Sequence, residues 1–284
     1  MAIRAYTNPG DSVMIQTPVY YPFFSLIRDN GRELVKNPLV YKDGKYKIDF
    51  EDFERKAAEH KVKLFVLCSP HNPVGRVWTR KELETLNEIC KRYGIIVVSD
   101  EIHCDFIYNG HIHTILGHLN ENAVICTAPS KTFNLAGLQV SNLFIKNTEL
   151  RRKLEHEIRC SGYSQLNTIG LTACKSAYQH GGEWLNQLTA YLAGNISLVR
   201  NFLSDKLPKI KLIEPEGTYL LWLDFQELGL SQNELDNLIT QKAKLWLSSG
   251  TTFGEDGNGF QRINIACPKA LLETALVRLE KCLI

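Results

Sequence analysis

The sequence predicts an α/β fold, a mainly parallel sheet with helices on both faces, followed by a smaller C-terminal α+β domain. Up to residue 182, short β-like runs alternate with helical patterns of roughly 10–15 residues, as in βαβ units. One run, Leu64–Cys68, is apolar at every position, as expected of a strand buried on both faces. Beyond residue 208, alternating apolar and polar residues indicate half-buried strands.

Six strands are predicted in the first part of the chain, and each is short and bounded by polar or turn-forming residues. They are Asp11–Gln16, Arg32–Pro38, Leu64–Cys68, Ile95–Val98, Ala123–Thr127 and Leu143–Ile145. The polar stretch Lys42–Lys45 is predicted to be a turn.

Three helices are predicted between these strands, from the spacing of their apolar residues. They cover Phe23–Asn30, Ile48–His60 and Thr79–Tyr93. The first ends at Gly31, a residue type that commonly follows the last helical turn. The third begins with Thr79 and has Glu82 three residues later, which is the spacing of a capping box.

A long helix over Glu183–Leu207 is predicted to link two bodies, because apolar residues recur there at helical spacing. We therefore expect a large domain over residues 1–182, a linking helix over 183–207 and a small domain over 208–284. The small domain is predicted to contain a turn at Pro215–Gly217, a helix over Ser231–Lys244, strands near Leu245–Leu247 and Gln261–Ala266, and a helix over Lys269–Cys282.

The composition argues against several classes of partner. The formal net charge is only +2, which gives no electrostatic reason to expect nucleic acid or a membrane surface. No apolar stretch approaches the roughly 20 residues that cross a bilayer, and the opening segment lacks the apolar region of a secretory signal. The eight cysteines lack metal-binding spacing, so we expect a cytoplasmic protein with reduced thiols and no metal site.

In a parallel sheet of this kind, ligands bind beyond the carboxyl ends of the strands. The segments that follow the predicted strands are therefore the candidate ligand loops. Four of them carry distinctive residues: TPVYYPF, SPHNPVG, SDEIHCD and APSKTFNLAG.

Two of these loops carry candidate catalytic groups. Lys131 follows the strand Ala123–Thr127 and is either a solvated surface lysine or an amine that forms a Schiff base with a carbonyl cofactor. Asp100 ends the strand before it and is either a helix cap or the charge partner of a protonated pyridine nitrogen. His103 would lie close to the same pyridine ring, or it is a histidine with a structural role only.

Three further residues carry similar alternatives. Pro70 and Pro73 bracket Asn72 in a tight turn, which is either only a turn or a support that presents the amide to a cofactor oxygen. Tyr20 or its neighbour could stack on a flat ring or belong to the core. Arg262 lies within an apolar strand, where either an incoming carboxylate or a structural salt bridge would explain it.

Together and in this order, these motifs resemble the fold-type I pyridoxal-phosphate enzymes of the class I/II aminotransferase superfamily. The strings QTPVYYPF, SPHNPVGRVW, VVSDEIHCDF, APSKTFNLAGLQ, PEGTYLLWLDF and RINIACP resemble those of its cystathionine β-lyase and C–S lyase branch. The resemblance covers nearly the whole chain, and the lysine motif and DEIH are its most specific parts.

The resemblance implies a role for each candidate residue. Lys131 would hold pyridoxal 5′-phosphate as a Schiff base, and Asp100 would pair with its ring nitrogen. Asn72 would hydrogen-bond the cofactor's O3′, Tyr20 would stack on its ring, and Arg262 would bind the substrate α-carboxylate.

Two more residues are implied with the cofactor. His103 stands where many transaminases have tyrosine, as in the lyase branch, and Ser130 would touch the phosphate. Where many relatives carry a phosphate-binding arginine, this chain has Gln139. Relatives also carry about a hundred further N-terminal residues, including a phosphate-binding loop and a tyrosine contributed across the dimer, so a truncated large domain with an exposed apolar flank is expected.

The function implied is β-elimination from cystathionine or a related cysteine S-conjugate, giving pyruvate, ammonia and a thiol. The alternatives left open are an aminotransferase acting on an L-amino acid and an inactive remnant that serves only in binding. The expected partners are a small amino-acid substrate and a second copy of the chain, without nucleic acid or membrane.

Overall fold

The computed structural model describes residues 1–163 and 165–283. Its strands are β1 (Ser12–Thr17), β2 (Glu33–Pro38), β3 (Val40–Lys42), β4 (Lys45–Lys47), β5 (Leu64–Cys68), β6 (Ile96–Asp100), β7 (Val124–Thr127), β8 (Asn142–Ile145), β9 (Lys211–Ile213), β10 (Leu220–Asp224), β11 (Ser248–Ser249) and β12 (Phe260–Asn264). Its α-helices are α1 (Ala2–Tyr6), α2 (Pro22–Arg28), α3 (Phe50–Glu59), α4 (Arg80–Arg92), α5 (Pro129–Thr132), α6 (Thr148–Cys160), α7 (Thr168–His180), α8 (Gly182–Lys206), α9 (Gln232–Asn237) and α10 (Lys269–Lys281).

The main sheet has six strands in the order β2-β1-β5-β6-β7-β8. The first five are parallel, and β8 runs antiparallel to β7. Cys68 at the end of β5 is paired with Asp100, which in turn is paired with Cys126. The carboxyl ends of three neighbouring strands therefore meet at one edge, where the candidate loops begin.

Helices cover both faces of this sheet, and β5 shows why its sequence is uninterruptedly apolar. Phe65 and Leu67 belong to one core cluster, together with residues of α3 and α4. The alternate residues of the strand belong to a second cluster with residues of α2 and α6. Because successive side chains of a strand point to opposite faces, a strand covered on both sides needs apolar residues throughout. The predicted α/β class is confirmed.

A second, antiparallel sheet in the order β11-β12-β10-β9 forms the C-terminal part. It packs against α8, α9 and α10 in a third core cluster. A loop of the main sheet is attached to it, because the N–H groups of Glu216 and Gly217 donate to the carbonyl of Gly75 at 2.9 and 3.0 Å. Arg76 adds an ion pair to Glu216 at 2.9 Å. These contacts hold the second sheet against the ligand edge of the first.

The predicted linking helix is present as α8. Its buried apolar residues, Leu192, Ile196, Val199 and Leu203, belong to the core of the C-terminal sheet. We propose that residues 1–182, 183–207 and 208–284 act as large domain, linking helix and small domain. None of the helices in the described part of the chain is long and apolar enough to cross a membrane.

Some predicted elements differ from the structure. The expected strand near Leu245–Leu247 is wrong: the strand is Ser248–Ser249, which pairs with Arg262 and Gln261 of β12. The preceding leucines instead pack as partly buried residues against the C-terminal core. The expected helix over Ser231–Lys244 is α-helical only as far as α9 and continues as a π-helix over Leu238–Lys242. The helices α1, α5, α6 and α7 are not among those that the sequence predicts.

Candidate active site

A cavity of about 260 Å³ lies where the carboxyl ends of the main sheet face the C-terminal sheet. Six of the seven candidate residues line it, and Ser130 does not. The lining residues are Tyr20, Tyr21, Cys68, Asn72, Asp100, Ile102, His103, Lys131, Tyr219, Leu220, Arg262 and Asn264. The loops after β1, β5, β6 and β7 thus meet β10 and β12 at one site, as expected for a sheet of this type.

Asp100, at the end of β6, provides the negative charge of the cavity. Its Oδ1 accepts a hydrogen bond from the N–H of Ile102 at 3.2 Å. The pKa of Asp100 is raised to about 6, mainly by burial and also by the neighbouring Glu101, while the hydrogen bond from Ile102 and the charge of Lys131 oppose the shift. A carboxylate in such a place is stabilised by a bound cation.

His103 is buried and only 4% exposed. Its Nδ1 has no hydrogen-bond partner among the described residues. The pKa of His103 is lowered to about 3, mainly by burial and also by the positive charges of Lys131 and Arg262. The imidazole is therefore neutral at physiological pH, and it rests edge-on against the ring of Tyr219 with centroids 5.5 Å apart.

Arg262, on β12, reaches across to the main-sheet loops. Its Nη1 donates to Asn72 Oδ1 at 3.0 Å, and its Nη2 donates to Ser248 Oγ at 3.2 Å. Its guanidinium carbon lies 4.6 Å from the centre of the Phe253 ring. Within residues 1–163 and 165–283 it forms no salt bridge, so a structural ion pair is not the reason for this arginine. A partly buried guanidinium of this kind can receive a carboxylate.

Asn72 is oriented by the turn that carries it. Its Oδ1 accepts the hydrogen bond from Arg262 Nη1, and its backbone N–H donates to Cys68 Sγ at 3.4 Å. No hydrogen bond from its Nδ2 is present in the described part of the chain. The amide nitrogen is thus able to donate to a ligand in the cavity.

Lys131 lies in α5, one short helical turn that follows β7. The next residue, Thr132, is buried, and its hydroxyl donates to Asp105 Oδ2 at 2.6 Å. This hydrogen bond ties the lysine segment to the DEIHCD loop that carries His103. No ion pair of Lys131 occurs among the described residues, so its amine faces the cavity without a carboxylate bound to it.

Comparison with known proteins identifies the family. The family model for class I and II aminotransferases matches residues 1–279. The chain belongs to this family. Enzymes of this family depend on pyridoxal phosphate, as the sequence resemblance implied.

The relatives point to the C–S lyase branch of the class I and II family. The chain is 45% identical to cystathionine β-lyase PatB of Bacillus subtilis, over all of this chain and 74% of PatB. It is 33% identical to MalY of Escherichia coli, over 98% of this chain and 72% of MalY.

Solved structures agree with these sequence relatives. Cystalysin from Treponema denticola, which contains pyridoxal 5′-phosphate, superposes with a TM-score of 0.96 at 38% identity and covers 99% of this chain and 73% of its own. The pyridoxal-phosphate-bound C–S lyase of Staphylococcus hominis superposes with a TM-score of 0.93 at 30% identity, over 100% of this chain and 73% of its own.

Some site residues fall outside the sequence-based candidates. Tyr219 and Asn264 line the cavity although neither was a candidate. Tyr219 lies in the string PEGTYLLW, and its neighbour Thr218 has φ of +69°, a strained backbone that a sequence pattern does not reveal. Gln139, where the sequence resemblance implied a phosphate-binding arginine in many relatives, is not among the residues that line the cavity.

Proposed function

We propose that this chain is a pyridoxal-phosphate-dependent carbon–sulfur β-lyase. Its substrate is cystathionine or another S-substituted L-cysteine, and its products are pyruvate, ammonia and a thiol. The observation that carries the proposal is the convergence of an amine, a carboxylate and a guanidinium on one cavity, in a chain whose relatives include cystathionine β-lyases. We also propose that the protein is cytoplasmic, in keeping with its eight free cysteines.

The residues of the cavity suit pyridoxal phosphate. The Lys131 amine can condense with the aldehyde, and the partly buried Asp100 carboxylate can pair with a protonated ring nitrogen. The Nδ2 of Asn72 can donate to the phenolic oxygen, and Tyr20 offers a ring for stacking. Among these residues, Asp100 gives the strongest support, because its raised pKa belongs to a partly buried carboxyl group whose anion a bound cation would stabilise.

Two further residues are proposed to contact the cofactor. His103 has an unpartnered Nδ1 in the cavity wall, among the described residues, and can contact the cofactor ring. Ser130 is half-buried beside Lys131, and we propose that its hydroxyl contacts the phosphate.

Each step of the reaction gives this chain's residues a defined task. The bound cofactor withdraws electrons and thereby stabilises negative charge at the substrate Cα. Arg262 binds the α-carboxylate and fixes the orientation of the Cα–H bond. The Lys131 amine removes the α-proton as general base. The Cβ–S bond then breaks, and the sulfur leaves with its electron pair as a thiolate.

The overall reaction is balanced by one water. An S-substituted cysteine, R–S–CH₂–CH(NH₃⁺)–COO⁻, reacts with H₂O to give R–SH, pyruvate and ammonium. No electrons enter or leave, so the reaction needs no oxidant or reductant.

Pyruvate production tests this proposal. Protein supplied with pyridoxal phosphate and cystathionine, without any keto acid, is expected to release pyruvate and free thiol in equal amounts. The Lys131→Ala variant is the control and should release neither. Amino transfer that appears only once a keto acid is added would instead establish the aminotransferase alternative. No reaction in either assay, together with no visible cofactor absorbance, would establish a binding remnant.

We further propose a homodimer. Several apolar side chains of β8 and α7 are exposed, including Phe144 at 60% and Ile169 at 73%. Exposed apolar residues in such number mark a surface that is covered by another polypeptide.

A further inference from the structure

A second cavity adjoins the candidate active site. Its volume is about 370 Å³, and it shares Lys131, Tyr219 and Asn264 with the first cavity. A substrate whose α-carbon lies near the Lys131 amine therefore has two directions available: toward Arg262, and into this second cavity.

The walls of the second cavity are mainly apolar and aromatic. One side is formed by Trp184, Leu188 and Tyr191 of α8, and the other by Phe106 and Tyr219. Lys131 is the one charged side chain among its described lining residues, and no carboxylate is among them.

Two of these aromatic side chains are held in place by their neighbours. The ring of Trp184 packs on Phe133 with centroids 5.9 Å apart. The hydroxyl of Tyr191 accepts a hydrogen bond from the N–H of Lys269 at 2.6 Å, so the tyrosine presents its ring rather than its polar end. The two rings therefore form a preorganised surface for a flat or apolar group.

We propose that the second cavity binds the S-substituent of the substrate and makes the enzyme selective for cysteine conjugates with uncharged alkyl or aryl groups. This inference rests on the proposed function and names its substrate class. The departing half of cystathionine carries both an ammonium and a carboxylate. No described lining side chain is a carboxylate that could pair with the ammonium, and Lys131 is already engaged at the α-carbon, so neither charge meets a partner of opposite sign there. An apolar or aryl substituent instead covers the rings of Trp184 and Tyr191, which are 48% and 45% exposed.

The test compares three substrates on the protein loaded with pyridoxal phosphate. They are S-benzyl-L-cysteine, S-methyl-L-cysteine and L-cystathionine, and pyruvate release gives kcat/KM for each. The wild-type protein is expected to prefer the benzyl substrate to cystathionine by roughly ten-fold or more, because the benzyl group covers the exposed rings of Trp184 and Tyr191 whereas the zwitterion meets no carboxylate.

Two variants in the second cavity, each with a control variant, test whether this cavity determines the substrate preference. Trp184→Ala should lower the benzyl-to-methyl ratio of kcat/KM by roughly ten-fold, whereas Trp246→Ala, at a side chain that is 96% exposed, should leave it unchanged. Leu188→Arg adds a cation for the carboxylate of the homocysteine half and should shift the preference toward cystathionine. Leu188→Gln is its uncharged control.

A binding measurement complements turnover. The non-cleavable analogue 2-amino-5-phenylpentanoate, in which carbon replaces sulfur, should bind less tightly by calorimetry to Trp184→Ala than to wild type or Trp246→Ala. Because Leu188 is half-buried on α8, Leu188→Arg provides a second, independent test if Trp184→Ala does not fold.

The possible results distinguish the proposed substrate preference from the lyase function on which it rests. If S-methylcysteine yields pyruvate but the benzyl preference is absent, or unchanged in both cavity variants, this inference is overturned while the lyase assignment stands. If none of the three substrates yields pyruvate, the proposed function itself fails.

Discussion

At the scale of single residues, the candidate site depends on charges placed where water is scarce. Asp100, His103 and Arg262 all have pKa values shifted by burial in the direction that disfavours their charged forms. Such shifts cluster where a ligand supplies the missing charge, which is why these residues indicate a cofactor and substrate site rather than a solvated surface.

The raised pKa of Asp100 predicts a specific dependence of stability on pH. Between the ordinary aspartate pKa of 3.8 and the folded value of about 6, the folded protein binds more protons at this residue than the unfolded chain does. The contribution of Asp100 to the free energy of unfolding therefore falls as pH rises through that window.

Asp100→Asn removes this effect. Urea denaturation of the cofactor-free proteins measures the free energy of unfolding of each. The value for the variant minus that for wild type should increase as pH rises from roughly 4 to 6, and it should stay constant above roughly pH 7. A difference between the two proteins that does not change with pH would show that Asp100 has an ordinary pKa.

The positions of Tyr20, Asn72, Asp100 and Lys131 could be predicted because each follows its own strand, and parallel strands bring their carboxyl ends together. The hydrogen bond between Arg262 and Asn72 could not, since it joins two sheets whose relative placement depends on contacts such as Arg76–Glu216. Local sequence carries no information about such a tertiary approach.

At the scale of elements, the best predicted helix is α4, because its start is specified by local hydrogen bonds. Glu82 N–H donates to Thr79 Oγ1 at 3.2 Å, and Thr79 N–H donates to Glu82 Oε2 at 2.8 Å. The two bonds form the capping box that the spacing of these residues predicted. The π-helix Leu238–Lys242 and the displaced β11 have no comparable local signal, since tertiary packing decides them.

Removal of the capping box is expected to lower the free energy of unfolding measurably. Thr79→Ala leaves the first turn of α4 without its side-chain acceptor and should lower the free energy of unfolding by about 1 kcal/mol. Thr79→Ser keeps the hydroxyl and should lie close to wild type. Urea denaturation of the three proteins measures the difference, and equal stability of Ala and Ser would show that the cap contributes nothing.

At the scale of the whole molecule, apolar side chains remain uncovered along one flank. Besides Phe144 and Ile169, Leu171 and Tyr178 of α7 are about half exposed, at 48% and 49%. Of the whole of α7, only Gly170 is buried. We propose that these exposed apolar side chains favour association over a free monomer.

Light scattering tests that expectation. The purified chain should behave as a dimer or larger species, and Phe144→Lys combined with Ile169→Lys should shift it toward monomer, because lysine charges oppose burial. Lysine substitutions at Glu155 and Gln187, which are exposed on neighbouring helices, provide a matched control that should not change the mass. A monodisperse wild-type monomer would contradict the proposal.

The most direct measurement concerns the lysine on which the proposed chemistry depends. Protein incubated with pyridoxal phosphate, reduced with borohydride and digested should carry the reduced cofactor on the peptide that contains Lys131, as found by mass spectrometry. Lys131→Ala should carry none at a defined site. An adduct on another lysine, or no adduct at all in the wild-type protein, would contradict the assignment.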